Sequence, residues 1–133
     1  MDAGQAKFVY RHMAFLGAES TLAAEASECA AEQGQFFPYH DLIFQNQGPK
    51  NTGAYATDRL TSFAEQTSLD KSKFSACLTS HKYKGKVEQS TQEATAIGVQ
   101  STPTVLINGR LIQNPGDLTT MQNIIREELA KKP

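Results

Sequence analysis

The sequence has neither a long apolar run nor an excess of charge of one sign. No stretch approaches the ~20 consecutive apolar residues that cross a bilayer as a helix. The 133 residues hold 13 Lys and Arg against 14 Asp and Glu, so the formal net charge is −1. This balance provides no basic surface excess that would attract nucleic acid or an anionic membrane. We therefore expect neither a nucleic acid nor a membrane as a partner.

The sequence also lacks the motifs of several enzyme classes. His12, His40 and His81 are scattered, without the H-x-x-x-H or H-E-x-x-H spacing that brings metal ligands together. No serine motif accompanies the histidine of Tyr39–Asp41, so a nucleophilic triad has no support. There is no glycine-rich loop that could hold a phosphate. We expect no metal and no cofactor.

Length and composition are those of one globular domain. A chain of 133 residues is long enough to bury a core of its own. Its 39% hydrophobic and 20% charged residues are ordinary for a soluble protein. We predict a single domain over residues 1–133.

Residues 98–112 carry the most specific local pattern. Gly98 follows an amphipathic run and suits the left-handed position just past a helix end. Thr104–Ile107 is apolar or β-branched without alternation, which predicts a strand covered on both faces. Asn108–Gly109 then predicts a two-residue type I′ turn, in which both residues need positive φ. Pro103 lies where the strand begins, so its missing N–H costs least.

Helical patterns fill most of the remaining chain. Phe8–Tyr10 is a short strand candidate ahead of them, and the aromatic segment 36–44 is a candidate core anchor. Caps are predicted at Thr57, Asp70 and Asp117. One helix is predicted from Thr21 to about Gln33, and a long one runs through 83–97 to Gly98. The helices that follow the three caps are predicted from their apolar positions: Leu60, Phe63 and Ala64; Phe74, Cys77 and Leu78; and Leu118, Met121, Ile124, Ile125 and Leu129. The acidic residues of the first helix, Glu25, Glu28 and Glu32, are predicted to be solvated.

Three stretches resemble the DsbA-like thiol–disulfide oxidoreductases of the thioredoxin fold. They are residues 7–17 (KFVYRHMAFLG), residues 23–44 with their Glu-Cys-Ala and Tyr-His-Asp segments, and residues 98–109 (GVQSTPTVLING). The last is similar to the family's cis-proline loop and hairpin, and the resemblance implies a cis bond between Thr102 and Pro103. It also implies a thioredoxin-like α/β fold with a helical insertion over 19–98. Residues 99–133 would then form the cis-proline loop, the β-hairpin and the C-terminal helix.

The reactive centre of the resembled family has no counterpart in these residues. Its Cys-x-x-Cys lies ahead of the strand that here begins at Lys7, and the preceding residues contain no cysteine. We therefore expect a DsbA-type fold without its first strand, active-site turn and first helix. Since that strand normally lies between those near Phe8 and Val105, we expect the two to pair directly or a second chain to fill the gap. Strand exchange in a homodimer is the second route.

Cys29 and Cys77 are too far apart in sequence to form a redox motif, and three interpretations remain open. Both thiols can be small buried apolar groups. They can form a structural disulfide between two inserted helices, which the resemblance implies for some members of the family. A catalytic role is the third, weakest interpretation, because Cys29 lies inside a helix beside Glu25 and Glu28, which disfavours a thiolate.

Thr102 and Pro103 are the predicted substrate-binding residues. In the resembled family the cis-proline loop pairs its backbone with an extended polypeptide segment, a form of strand addition. The alternative is that the loop only shapes the turn into the hairpin.

Three hypotheses for the function follow. The first is a redox-inactive binding or structural module, which makes enzyme activity doubtful. The second is a fragment of an active thiol–disulfide oxidoreductase, and the third a glutathione-linked enzyme of the same fold. The N-terminal residues lack the basic and apolar regions of a signal peptide, which predicts a cytoplasmic location for the chain as written. The resembled family usually acts outside the cytoplasm.

Overall fold

The computed structural model describes residues 4–131, which form six helices and one two-stranded antiparallel sheet. The elements follow one another as α1 (Ala18–Ala31), α2 (Phe36–Gln45), α3 (Thr57–Ala64), α4 (Lys71–Thr79), α5 (Lys84–Ala96), β1 (Leu106–Ile107), β2 (Arg110–Leu111) and α6 (Leu118–Ala130). Within this part of the chain, no helix has both the length and the apolar character that a bilayer crossing requires.

The chain forms two compact units. The helical unit is Arg11–Ala94, and the hairpin unit combines the described residues up to Tyr10 with those from Thr95 onward. The sequence predicted a helical insertion over 19–98, whereas the observed helical unit covers Arg11–Ala94.

The helical unit is built around α1. Helices α2, α3 and α4 pack against it and against one another. Small residues on one face of α1, such as Ala26 and Ala30, are fully buried and allow close approach. Tyr39 and Phe74 fill the centre, with ring centroids 5.2 Å apart, and the Tyr39 hydroxyl donates to the Leu60 carbonyl at 2.8 Å. This bond satisfies the one polar atom that the buried Tyr39 side chain carries.

A glycine sets the start of α1. Gly17 has φ +116°, and a Cβ there would collide with the Asn51 side-chain amide. That nitrogen donates to the Leu16 carbonyl at 3.1 Å, and the Glu19 carboxylate accepts from the backbone of Gly53 and Tyr55. The loop between α2 and α3 is thereby fixed to the N-terminal end of α1.

One detail of the predicted helices is wrong. Thr57 is the first residue of α3 and caps nothing, because the capping position is occupied by Ala56. The long helix predicted over 83–97 is present as α5, and His81 with φ +53 lies in the turn that separates it from α4. The caps at Asp70 and Asp117 are confirmed, since each side chain accepts backbone N–H groups of the following turn.

The hairpin unit has a small sheet and one helix. Leu106 pairs with Leu111 and Ile107 with Arg110, and α6 packs on β1. Ile112 and Ile124 are its buried apolar residues. Two strand predictions are wrong. Phe8–Tyr10 forms no strand, because no neighbouring strand pairs with it in the described part of the chain. The strand predicted as covered on both faces is short and leaves Leu106 45% exposed.

Candidate functional site

The candidate site is the loop that joins α5 to the hairpin. Gly98 has φ +84 and ends the helical stretch, with its N–H donating to the Thr95 carbonyl at 3.0 Å. The bond between Thr102 and Pro103 is cis, as the family resemblance predicts. The Thr104 hydroxyl donates to the Ser101 carbonyl at 2.6 Å and closes the turn.

The hairpin that follows has the predicted turn and is fixed to α6. Asn108 and Gly109 have φ +49 and +83, as a type I′ turn requires. The Asn108 amide donates to Glu128 at 3.3 Å, and the Arg110 guanidinium donates to Glu127 at 2.8 Å. The hairpin therefore has a defined position on the helix behind it.

Thr102 and Pro103 lie on the surface, as does the cross-strand pair next to them. Leu106 and Leu111 stand directly opposite each other in the sheet, and Leu111 is 53% exposed. An exposed apolar pair on a two-stranded sheet is unusual, because such sheets gain stability from covering one face. The binding role of Thr102 and Pro103 stays a prediction.

The two cysteines lie elsewhere, in the helical unit, and form a disulfide. The bond joins α1 to α4, with the Cα atoms of Cys29 and Cys77 5.9 Å apart. Both residues are buried, so a dissolved thiol has little access to either sulfur. Of the three interpretations of these cysteines, the structure has the structural disulfide.

Glu25 and Glu28 are buried, so the prediction that they are solvated is wrong. Glu28 bridges two partners, His12 Nε2 at 2.9 Å and Lys86 Nζ at 2.6 Å. Glu25 pairs with His81 Nδ1 at 3.1 Å. Burial of a carboxylate is tolerated where cationic or N–H partners surround it. Sequence periodicity could not reveal these partners, because they come from distant parts of the chain.

His12 is the buried histidine of this cluster. Burial lowers its pKa below the ordinary value of 6.5, although the hydrogen bond to Glu28 and the charge of that carboxylate act in the opposite direction. His12 is therefore neutral at pH 7. Since a carboxylate only accepts hydrogen bonds, Nε2 carries the proton and donates to Glu28. The spacing around His12 predicted no metal ligand, and nothing in that local pattern indicates this structural role.

We expect His12 to make the stability of the helical unit depend on pH. Because its folded pKa lies below its unfolded value, the unfolded state binds more protons in the window below about pH 6.5. The free energy of unfolding should therefore fall as the pH decreases through that window, by at most about 1.4 kcal/mol per pH unit from this group. Urea unfolding at several pH values measures the slope, and H12Q should flatten it. The same slope in H12Q would show that other groups cause it.

The outward side of α2 carries aromatic residues that the sequence assigned to the core. Tyr39 and Ile43 are buried as a core anchor requires, but Phe37 and Phe44 are about half exposed. The His40 ring lies 4.5 Å from that of Phe44 and hydrogen-bonds the Asp41 carboxylate at 2.9 Å. No group of three potential ligands in residues 4–131 could hold a metal ion.

Fold and loop together define a thioredoxin-like protein of the DsbA type. The family model described as thioredoxin matches residues 1–127. The chain belongs to this family and, within it, to the DsbA-like thiol–disulfide oxidoreductases.

Proteins of two kinds are similar in sequence to this chain: disulfide bond formation proteins and Na⁺/H⁺ antiporters. The probable disulfide bond formation protein D of Bacillus cereus is 33% identical over 98% of this chain and 62% of that protein. The Na⁺/H⁺ antiporter NhaA 3 of Salinispora tropica is 29% identical over 98% of this chain but 20% of that protein. The chain thus spans about three fifths of the first relative and a fifth of the second.

A solved structure shows the same fold. The crystal structure of oxidised BdbD from Bacillus subtilis matches 97% of this chain and 71% of its own, with a TM-score of 0.85 and 26% identity. The thioredoxin-like fold predicted from residues 7–17, 23–44 and 98–109 is confirmed.

Proposed function

We propose that this chain is a DsbA-type binding module that takes up an extended polypeptide segment on its hairpin and performs no thiol–disulfide exchange through its own cysteines. The observation that carries the proposal is the surface of the hairpin unit. There the cis-proline loop adjoins the exposed cross-strand pair Leu106 and Leu111.

The state of the cysteines supports the redox-inactive half of the proposal. The sequence has two cysteines, and both are buried in one disulfide. Exchange requires an accessible thiolate to attack the client's disulfide, or an accessible disulfide that a client thiolate can attack. Neither is offered by Cys29 and Cys77.

The shape of the hairpin supports the binding half. Within residues 4–131 the sheet has two strands, so each has an outer edge to which a further strand can add. Strand addition supplies backbone hydrogen bonds, while apolar side chains of the ligand would cover Leu106 and Leu111. The ligand class is therefore an unfolded or extended polypeptide with apolar residues at alternate positions.

Peptide binding can be tested with a matched pair of variants. We expect a fluorescein-labelled unstructured peptide with alternating apolar residues to bind with micromolar affinity, and L111S to weaken binding about tenfold or more, because it removes half of the apolar pair. L118S changes a leucine of the same unit that is 69% exposed and lies at the start of α6, so it should bind as the wild type does. Fluorescence polarisation measures both. Equal losses in the two variants would overturn the binding proposal.

Redox inactivity is tested separately. In an insulin-reduction assay the wild type and C29A/C77A should both give only the background rate. Turnover above background would refute this half of the proposal, whatever the binding result.

A second copy of the chain could occupy the same edge by strand exchange. Sedimentation velocity over a range of concentrations distinguishes this homodimer from a monomer that binds peptide. The competing outcome is a dimer that the labelled peptide dissociates.

A second candidate function is that these residues are part of an active disulfide oxidoreductase. It is favoured by the similarity to disulfide bond formation proteins over about three fifths of their length. Inspection of the reading frame on both sides of the 133 residues for a Cys-x-x-Cys segment tests it.

For location, we propose an oxidising compartment outside the cytoplasm. The disulfide supports this, because such bonds persist where thiols are not kept reduced. Thiol labelling of the protein in intact and lysed cells would check the oxidation state of Cys29 and Cys77.

A further inference from the structure

Helix α5 is attached to the core formed by α1, α2, α3 and α4 mostly through polar contacts. Of its residues only Val87 and Ser90 are buried. It is also absent from the closely packed pairs that α1, α2, α3 and α4 form with one another. Apolar burial, which holds those four helices together, therefore contributes little to the position of α5.

Both ends of the helical unit meet at α5. The unit begins at Arg11 and ends at Ala94. The Ser90 hydroxyl donates to the His12 carbonyl at 2.8 Å, and the Ala14 N–H donates to the Thr91 hydroxyl at 2.9 Å. At the surface, Arg11 and Glu93 form an ion pair at 3.4 Å.

One carboxylate connects both ends to the core. Glu28 of α1 binds the His12 ring with Oε1 and the Lys86 ammonium with Oε2. Together with the hydrogen bond from Ser90 to His12, these contacts form a closed ring of interactions that joins α1, residues 11–14 and α5. Because Glu28 is buried, the loss of either partner leaves its charge poorly compensated, so the two attachments depend on each other.

We propose that Glu28 is a latch that makes residues 11–14 and α5 open together from the core formed by α1, α2, α3 and α4, as one cooperative event. The four-helix core stays closed in this event, because its apolar contacts and the disulfide do not involve the latch. The latch is a conformational device and stands independently of the proposed peptide site.

Hydrogen–deuterium exchange with mass spectrometry of the full chain tests the latch. In E28Q, peptides covering 11–16 and 84–94 should exchange faster by the same factor, about tenfold, since charge-assisted hydrogen bonds are lost. Peptides covering α2 should be unchanged. K86Q keeps Glu28 and changes only its exposed partner, so this variant is expected to fold readily. It should show the same joint acceleration of hydrogen exchange in both segments.

The control is K84Q. Lys84 lies on α5 and pairs with Glu88 of the same helix at 3.9 Å, outside the ring. Hydrogen–deuterium exchange of the K84Q variant should equal that of the wild type in both segments. The proposal is overturned if E28Q and K86Q accelerate only one of the two segments, if neither responds, if α2 accelerates by the same factor, or if K84Q has the same effect as K86Q.

Discussion

Replacing Cys29 and Cys77 together by alanine should lower the free energy of unfolding of the helical unit by about 4 kcal/mol. The disulfide links residues separated by 48 positions. Closing a loop of that size lowers the conformational entropy of the unfolded chain, which corresponds to about 4 kcal/mol of stability at 25 °C. Native packing changes little, because replacing cysteine by alanine removes only one sulfur atom from each buried side chain. Urea denaturation followed by far-ultraviolet circular dichroism measures the loss.

The reduced wild type is the natural control for this pair. Both thiols remain in place but the cross-link is absent, so denaturation in a dithiol should give nearly the midpoint of C29A/C77A. If the oxidised protein and the double variant unfolded at the same urea concentration, the disulfide would not be a stabilising element.

Phe74→Ala should cost about 3–5 kcal/mol, the range for removing a large aromatic side chain from a packed core. Phe74 is fully buried and contacts the Tyr39 ring at the centre of the four packed helices. Its loss leaves a cavity that the surrounding backbone of α1, α2 and α3 can fill only in part.

Phe44→Ala provides the matched comparison, since it removes the same side chain from a position that is 53% exposed. We expect a loss below about 1 kcal/mol, because little apolar area is returned to water. Urea midpoints of the two variants give the difference. Similar losses at both positions would mean that Phe44 contributes to the core as much as Phe74 does.

Most of the features that the sequence predicted correctly are determined by a few neighbouring residues. The type I′ turn needs only Asn108 and Gly109, and the caps at Asp70 and Asp117 need only a carboxylate at a helix start. Such signals act within a few residues and do not depend on the tertiary structure. The cis bond before Pro103 is a different case, because the local sequence does not decide between cis and trans and the prediction rests on the family resemblance.

The features that it predicted wrongly depend on distant partners. A strand exists only where another strand accepts its hydrogen bonds, and no strand within residues 4–131 pairs with Phe8–Tyr10. Glu25 and Glu28 are acidic residues on a helix and would ordinarily be solvated, but His81, His12 and Lys86 cover them. These partners are far away in sequence, so no local pattern could place them.

The candidate site shows the same division. The residues around Pro103 could be found from their order, whereas the exposure of Leu106 and Leu111 could not, because an apolar run predicts burial. For Cys29 and Cys77, the sequence left three interpretations open: buried free thiols, a structural disulfide of the kind that the family resemblance implies, and a catalytic role. Only the packing of α1 against α4 decides between them.

The loop between α2 and α3 lies in the stretch of chain between Cys29 and Cys77, which the disulfide closes into a covalent loop. A protease that cuts once between Gln45 and Thr57 would therefore produce two fragments that stay covalently joined through Cys29 and Cys77. The nicked protein would keep its intact mass on a non-reducing gel and separate into two bands only after a thiol is added.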